Sequence, residues 1–232
     1  MAGIITHLVI AREMIKLLPK GTIKEEGLFY EGSFAPDAIH AREGFIREDK
    51  KHTHLRDNIP DKDFILEENR TLFYSRVADF ILENQMRECG LLDLYRGYVV
   101  HLLTDELFVI TIREEFCEIM AGMGIAQHDI EFFYNIVSDL NRIDDILVEN
   151  YEGMDEIRKR LEKIKPYPIE GLLSENEIRD CNNWLLHNYF VEKHELLAPV
   201  YISYERTLDF IKMTAENIVI RLSEGGSLPR ML

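Results

Sequence analysis

The residues best suited to chemistry in this sequence are a histidine and an aspartate one helical turn apart. His101 and Asp105 lie in the stretch 97–108, whose apolar residues predict a buried helix. Residues four apart leave the same face, where Gly97 would clear space above them. A buried carboxylate is costly unless a cation or hydrogen-bond donor compensates it. The pair is typical of metal ligands, although a hydrogen bond between two core residues is the more common explanation of such a pair taken alone.

Four further polar residues stand where apolar or capping residues are the simpler expectation. His7 falls on the inward stripe of a predicted helix over 5–18, as a core histidine would. Asp37 stands at a predicted helix start, where a carboxylate is favoured by the free N–H groups. His54 ends a charged run that reads as surface, and Asp139 lies at the edge of an apolar stripe. Each residue alone has an ordinary structural explanation.

As a set these residues indicate a metal site. They comprise three imidazoles and three carboxylates with no thiolate: His7, Asp37, His54, His101, Asp105 and Asp139. Mixed histidine and carboxylate ligation suits Zn²⁺ and other borderline divalent ions. Two such ions about 3.5–4 Å apart form a clamp used in phosphoester hydrolysis. The set therefore predicts a mononuclear or dinuclear site in a metal-dependent hydrolase that acts on a phosphoester.

The elements that must position these residues are predicted to be helices. Apolar residues recur at helical spacing in the segments 5–18, 71–88, 91–120, 128–149 and 153–164. A capping box over 174–177 begins the next helix, and a last helix follows Pro199 and ends at 224–226. The segment 21–62 lacks regularity, and long irregular segments in compact chains are often functional. With no segment alternating as a strand, the sequence predicts an all-α fold.

Composition sets bounds on the domain organisation and the partners. With 232 residues, 46% hydrophobic and 30% charged, we expect one all-helical domain. Its metal-site core would lie in 1–150, with the helices of 151–232 packed on it. A net charge of −15 disfavours nucleic acid and anionic membrane surfaces, so the expected partner is a small-molecule phosphoester. Self-association as a homo-oligomer stays open.

The cellular location follows from cysteine usage and from the absence of export and membrane signals. Cys89, Cys117 and Cys181 are odd in number and widely separated, which argues for a reducing compartment. No uncharged apolar stretch reaches 18 residues, and the N-terminal apolar run lacks the basic flank and cleavage site of a signal peptide. We therefore expect a cytoplasmic protein without a membrane span.

Four short blocks of sequence carry a resemblance to a known family. They are THLVIA at 6–11, APDA at 35–38, KHTHL at 51–55 and YRGYVVHLLTD at 95–105. Their order and local context resemble the zinc-dependent phospholipase C family of all-helical hydrolases, related more distantly to the P1/S1-type nucleases. The resemblance covers about residues 4–145. It implies a phospholipase C/P1 nuclease-like fold, Zn²⁺ held by the histidines and aspartates of the blocks, and Asp37 as ligand and general base.

The chain also departs from the family pattern. In the secreted phospholipases two further histidines and a glutamate follow the Asp105 block, whereas no histidine occurs here between His101 and His128. One or two metals are therefore expected rather than three, with Asp139 as a replacement carboxylate. His52 is the alternative to His54 in its block. Because no export signal precedes the chain, phospholipid is not carried over as the substrate.

Two rival interpretations remain at the level of sequence. His128 and Asp129 form an adjacent pair of the kind used by helical HD-type phosphohydrolases, for which His101 and Asp144 would supply the other ligands. Asp129 is equally well explained as a charge in the first turn of its helix. The missing ligands of the third metal site favour the other interpretation, a non-catalytic helical module that binds metal for structure or not at all.

Overall fold

The computed structural model describes residues 1–85 and 89–232, and its regular structure is helical. The α-helices are α1 (Ile4–Leu17), α2 (Glu26–Phe34), α3 (Arg47–Thr53), α4 (Glu67–Gln85), α5 (Leu92–Ile110), α6 (Ile112–Gly122), α7 (Ile130–Asn150), α8 (Met154–Leu161), α9 (Glu175–Phe190) and α10 (Tyr204–Leu222). Short 3₁₀ helices span Ala35–Ala41, Asp61–Asp63 and Cys89–Leu91. Extended pairing among the described residues is limited to a bridge between Ile169 and Leu173. The all-α prediction is confirmed.

Most predicted helices agree with the observed ones to within a few residues, and the exceptions have local causes. The predicted helix over 91–120 is two helices, because Thr111 leaves the helical dihedral region and its hydroxyl donates to the carbonyl of Leu107 at 2.6 Å. α4 begins four residues before its predicted start, and its predicted end over 86–88 lies outside the described residues. The predicted capping box is present, since the Ser174 hydroxyl accepts from the backbone N–H of Glu177.

The segment 21–62, predicted to be irregular, instead contains α2, a 3₁₀ helix and α3. Its regularity comes from tertiary packing of α2 against α5 rather than from sequence periodicity. The two helices cross where Gly32 faces Gly97, and a Cβ atom on either glycine would overlap the backbone of the other helix. Gly97 thus clears space for a neighbouring helix and not for a pocket, which corrects the expectation from sequence.

Close packing places α5 at the centre of the fold. Nearly all of its residues from Tyr98 to Val109 are buried, including His101, Asp105 and Glu106. Helices from the last third of the chain cover this centre: α10 packs on α1 and α5, and α9 packs on the 3₁₀ helix that follows α2. The rings of Phe108 and Phe210 meet at 5.8 Å between centroids, joining α5 to α10. Among the described residues, no helix has the length and apolarity required to cross a bilayer.

α2 also carries a buried acid. Glu31 is fully buried, and its Oε1 accepts the backbone N–H of Tyr167 at 2.7 Å. Its other carboxyl oxygen has no hydrogen-bond partner. Burial raises the pKa of Glu31 to about 8, because the charged form is poorly solvated. The folded protein therefore holds a proton at Glu31 that the unfolded chain has released at neutral pH.

Gly32→Ala should destabilise the fold, because the new methyl group meets the backbone of α5. We expect the free energy of unfolding to fall by about 3 kcal/mol in urea denaturation, as for overpacked cores. Gly27→Ala in the same helix is the control, since a Cβ there meets nothing within 4 Å and alanine favours helix. Equal stability of the two variants would contradict the close crossing.

Glu31→Gln should change how stability depends on pH. Since the folded pKa of Glu31 lies above its unfolded value of 4.5, its ionisation costs stability as pH rises between these values. The free energy of unfolding of Glu31→Gln, relative to wild type, should increase by roughly 2 kcal/mol between about pH 5 and pH 7. The exposed Glu83→Gln is the control, and an equal pH trend in both variants would refute this explanation.

Candidate metal centre

Five of the six predicted ligands meet in the interior. α1 supplies His7, the 3₁₀ helix after α2 supplies Asp37, the end of α3 supplies His54, and α5 supplies His101 and Asp105. Their ligand atoms form two groups that share His101, each with all atoms within 4.8 Å of one another. One group contains His7, His101 and Asp105, and the other contains Asp37, His54 and His101. The fold therefore joins residues almost one hundred positions apart.

Hydrogen bonds from side-chain hydroxyls to backbone carbonyls hold the segments that bear these ligands. The Thr53 hydroxyl donates to the carbonyl of Pro36 at 3.0 Å, which ties α3 to the segment of Asp37. The Tyr98 hydroxyl donates from α5 to the carbonyl of Thr53, next to His54. Thr53 and Tyr98 are buried, so both hydrogen bonds form in a poorly solvated environment. A buried donor or acceptor left without a partner there would cost folding free energy. The ligand positions are thus set by packed elements rather than by mobile loops.

The distances among the ligands are too long for direct hydrogen bonds in most cases. The Nε2 atom of His7 lies 3.3 Å from Asp105 Oδ1, and the Nε2 atom of His54 lies 3.5 Å from Asp37 Oδ1. Asp105 Oδ2 lies 3.5 Å from His54 Nε2 and 3.8 Å from His101 Nε2. His7 has no hydrogen-bond partner on either ring nitrogen, and neither has Asp105 Oδ2.

Two histidines have their tautomers fixed by backbone carbonyls. His54 Nδ1 lies 2.8 Å from the carbonyl oxygen of Lys50, and His101 Nδ1 lies 2.9 Å from that of Ser33. A carbonyl oxygen can only accept, so both Nδ1 atoms carry the proton. In the neutral rings both Nε2 atoms then present lone pairs, and these two atoms face each other at 3.2 Å. Neither Nε2 atom therefore carries a proton that could form a hydrogen bond to the other.

Burial keeps these imidazoles neutral. Desolvation lowers the pKa of His101 to about 3, helped by its neighbour His7, whose ring stacks on it at 3.8 Å. Desolvation also lowers the pKa of His54, against the opposing effect of its contact with Asp37. An imidazolium proton is therefore not available to bridge the facing nitrogens near neutral pH. A cation between them would relieve the repulsion, and neutral imidazole is the form that binds metal.

The two carboxylates are ionised despite their burial. Burial alone would raise the pKa of Asp37, but the Lys50 ammonium at 2.6 Å outweighs that effect and holds the pKa well below its usual range. Asp105 behaves similarly, since interaction with His7 outweighs desolvation and lowers its pKa. The backbone N–H of Ala2 also donates to Asp105 Oδ1 at 3.0 Å. Buried anions beside imidazole lone pairs form a donor set that fits a divalent cation.

A cavity of about 720 Å³ adjoins this cluster. Of the five clustered residues, Asp37 alone borders it, together with the cations Arg47, Lys50, Arg56 and Arg113. Much of the remaining lining is apolar, formed by Phe132, Phe133, Ile136, Val137, Leu140 and Trp184. The pKa of the Met1 amino group is lowered to about 5, chiefly by burial, and the opposing effect of Asp105 is offset in part by the charges of Arg113, Lys50 and Arg56. These three cations therefore lie near the Met1 amino group, which borders the same cavity.

The remaining predicted residues lie elsewhere. Asp139 does not join the cluster, because its carboxylate accepts the backbone N–H groups of Val200, Tyr201 and Ile202 at 2.6–2.9 Å. It holds the segment that leads into α10. His52 is exposed and interacts with Asp57 at 3.1 Å, which leaves His54 as the ligand candidate from its block.

The HD-type arrangement is not assembled. His128 is exposed, whereas His101 is fully buried, and Asp129 accepts the backbone N–H of Ala126 at the start of α7. Asp144 accepts the backbone N–H groups of Ile5 and Thr6, so it caps α1. Neither metal-competent group found in the described residues includes these aspartates or His128.

Sequence reasoning missed the cations that lie beside the cluster. Lys50 and Arg56 lie within a charged stretch that predicts solvated surface, yet both are buried. Lys50 alone left a usable signal, because it stands four residues before His54 and therefore lies on the same helical face as a histidine that points inward.

Comparison with protein-family models, with curated proteins and with solved structures finds no match to this chain.

Lys50→Met should destabilise the metal-free protein, because Asp37 would keep a buried charge without its cationic partner. We expect the free energy of unfolding to fall by about 3 kcal/mol, as when one partner of a buried ion pair is removed. The neighbouring Lys51→Met is the control: its ammonium lies 3.9 Å from exposed Glu48, and such pairs contribute about 0.5 kcal/mol or less. Similar losses in the two variants, measured by urea unfolding, would argue against the buried pair.

Proposed function

We propose that this chain binds one or two divalent metal ions, Zn²⁺ by preference, and hydrolyses a phosphoester. His7, Asp37, His54, His101 and Asp105 would hold the metal. The observation that carries the proposal is the pair of Nε2 atoms of His54 and His101, which face each other at 3.2 Å with both lone pairs unprotonated. Two ionised carboxylates lie beside them, so a cation supplies what this donor set lacks.

The choice of zinc rests on the ligand types. Three imidazoles and two carboxylates suit Zn²⁺ better than the all-oxygen sites that Ca²⁺ and Mg²⁺ prefer. The backbone carbonyls behind His54 and His101 correspond to the outer hydrogen bonds that orient metal-binding histidines in known sites. The resemblance of the four sequence blocks to the zinc-dependent phospholipase C family supports the same choice, and we propose membership of that family.

Hydrolysis of a phosphoester is proposed from the surroundings of the cluster. A bound divalent ion supplies Lewis acidity and lowers the pKa of water. Asp37 joins the buried ligands to the cavity, so it is the candidate catalytic residue and would accept a hydrogen bond or proton from a group bound there. Lys50 holds its carboxylate in place at 2.6 Å. Arginines at the same end of the cavity favour an anionic substrate.

A non-catalytic metal-binding module is the second candidate, favoured by the burial of His7, His54 and His101. A structural metal stabilises the fold without turnover, because its binding free energy becomes folding free energy. Chelation would then lower the melting temperature of a protein that hydrolyses no phosphoester. The two candidates therefore share the metal and differ in activity.

Elemental analysis of the protein after zinc loading and desalting tests the metal. Wild type should retain one or two equivalents, and His101→Ala should retain less than half of that, because His101 belongs to both ligand groups. His52→Ala is the control, since this neighbouring histidine is exposed and outside both groups. Release of p-nitrophenol from phosphate esters then reports activity. A wild-type protein without zinc, or unchanged zinc in His101→Ala, would refute the proposal.

A further inference from the structure

Arg56 is buried beside the metal cluster with part of its hydrogen-bonding capacity unused. It is only 6% exposed, and its Nε has no hydrogen-bond partner. Its Nη2 donates to Asp61 Oδ1 at 3.0 Å, and its guanidinium lies over the ring of Phe64 at 4.0 Å from the centroid. Phe64 and Asp61 hold the side chain in place at the cavity wall. A fixed, desolvated guanidinium with an unused N–H group is well suited to bind an anion.

The charge on Arg56 is only partly neutralised. Asp61 also accepts both Nε and Nη2 of Arg47, at 3.1 and 2.8 Å, so one carboxylate serves two guanidinium groups. Arg113 borders the same cavity, and within residues 1–85 and 89–232 it forms no ion pair or hydrogen bond with a side chain. Asp144, which also borders the cavity, is engaged in capping α1. Asp37 and Asp180 border the cavity as well, but Asp37 is paired with Lys50 and Asp180 is exposed. Arg56 therefore shares its carboxylate with Arg47, and Arg113 has no paired carboxylate among the described residues.

The combined charge of Arg56 and Arg113 discriminates between phosphomonoesters and phosphodiesters. A phosphomonoester is a dianion near neutral pH and presents three non-bridging oxygens, whereas a phosphodiester has one negative charge and two such oxygens. The two positive charges of these guanidinium groups match the dianionic monoester rather than the singly charged diester, and their several N–H groups are enough for three oxygens. The apolar part of the cavity lining, which includes Phe132 and Ile136, offers contacts for the organic group.

We infer that Arg56 and Arg113 form an anion subsite that binds the terminal phosphate of a phosphomonoester carrying an apolar group, an inference that rests on the proposed hydrolase function. The reaction is ROPO₃²⁻ + H₂O → ROH + HPO₄²⁻. A bond forms between the water oxygen and phosphorus, and the ester P–O bond breaks. One proton of the water ends on the leaving alcohol and the other on the phosphate. Arg56 and Arg113 stay charged throughout and bind the non-bridging oxygens.

Calorimetric titration of inorganic phosphate into the zinc-loaded protein, and into the metal-free protein, tests the subsite directly. Arg56→Gln should weaken phosphate binding at least about tenfold, because a charge-assisted hydrogen bond is lost. Arg113→Gln should weaken it by a similar factor; Arg113 is only half-buried, so this variant serves if Arg56→Gln fails to fold. Arg179→Gln is the control and should bind phosphate as wild type does, because Arg179 is a half-buried arginine of α9 that is paired with Glu175 and does not border the cavity.

Turnover tests the preference for monoesters. The zinc-loaded wild type should hydrolyse p-nitrophenyl phosphate with a kcat/KM at least about tenfold above that for bis(p-nitrophenyl) phosphate, and Arg56→Gln should remove most of this difference while zinc content stays unchanged. Arg56→Lys, which keeps the charge, should recover part of it.

The outcomes separate this inference from the proposed function. Equal phosphate affinity in Arg56→Gln, Arg113→Gln and wild type overturns the subsite, whether or not any ester is hydrolysed. Faster turnover of the diester overturns the monoester preference. Phosphate binding that both substitutions weaken, in a protein that hydrolyses neither ester, supports the anion subsite and counts against the hydrolase.

Discussion

The close crossing of α2 and α5 is the constraint on which the centre of this protein depends. Gly32 and Gly97 let the two helix backbones approach until no Cβ atom would fit between them. This distance brings the Ser33 carbonyl to 2.9 Å from His101 Nδ1 and thereby decides which ring nitrogen faces the interior. α5 can be buried along its length because α2 covers the side that carries the glycine. A steric property of two small residues thus sets the protonation pattern of a histidine.

The electrostatics of the interior follow from that pattern. Buried imidazoles with their Nδ1 protons committed to carbonyls have only lone pairs to offer one another, and the carboxylates of Asp37 and Asp105 add negative charge to the same volume. Lys50 compensates Asp37 at 2.6 Å, but no comparable cationic side chain lies against the facing Nε2 atoms in the described parts of the chain. A polar cluster that lacks an internal counter-charge is high in energy when empty. Because a bound cation would remove this unfavourable energy, its relief would contribute to the affinity for the cation.

Helical periodicity in the sequence was sufficient to predict the all-α class and most helix positions, because amphipathic stripes are local signals. The five clustered ligands were predicted from residue type and from the resemblance of short sequence blocks. Such blocks give the order of the ligands along the chain but not the distances between them in space. Three tertiary features were not predicted from the sequence: the helix crossing at Gly97, the burial of Lys50 and the capping role of Asp139. Each of them depends on residues that are distant in sequence. Asp139 shows the ambiguity best, since a buried carboxylate satisfies backbone N–H groups as readily as it binds a metal.

Anomalous X-ray scattering from zinc-soaked crystals tests the central claim most directly. Data collected above and below the zinc absorption edge should show an anomalous peak between His54 and His101, about 2.0–2.1 Å from a ring nitrogen. A second peak near His7 and Asp105 would indicate a dinuclear site. The account would be contradicted by peaks confined to exposed residues such as His128, with the two facing Nε2 atoms still 3.2 Å apart and nothing bound to either.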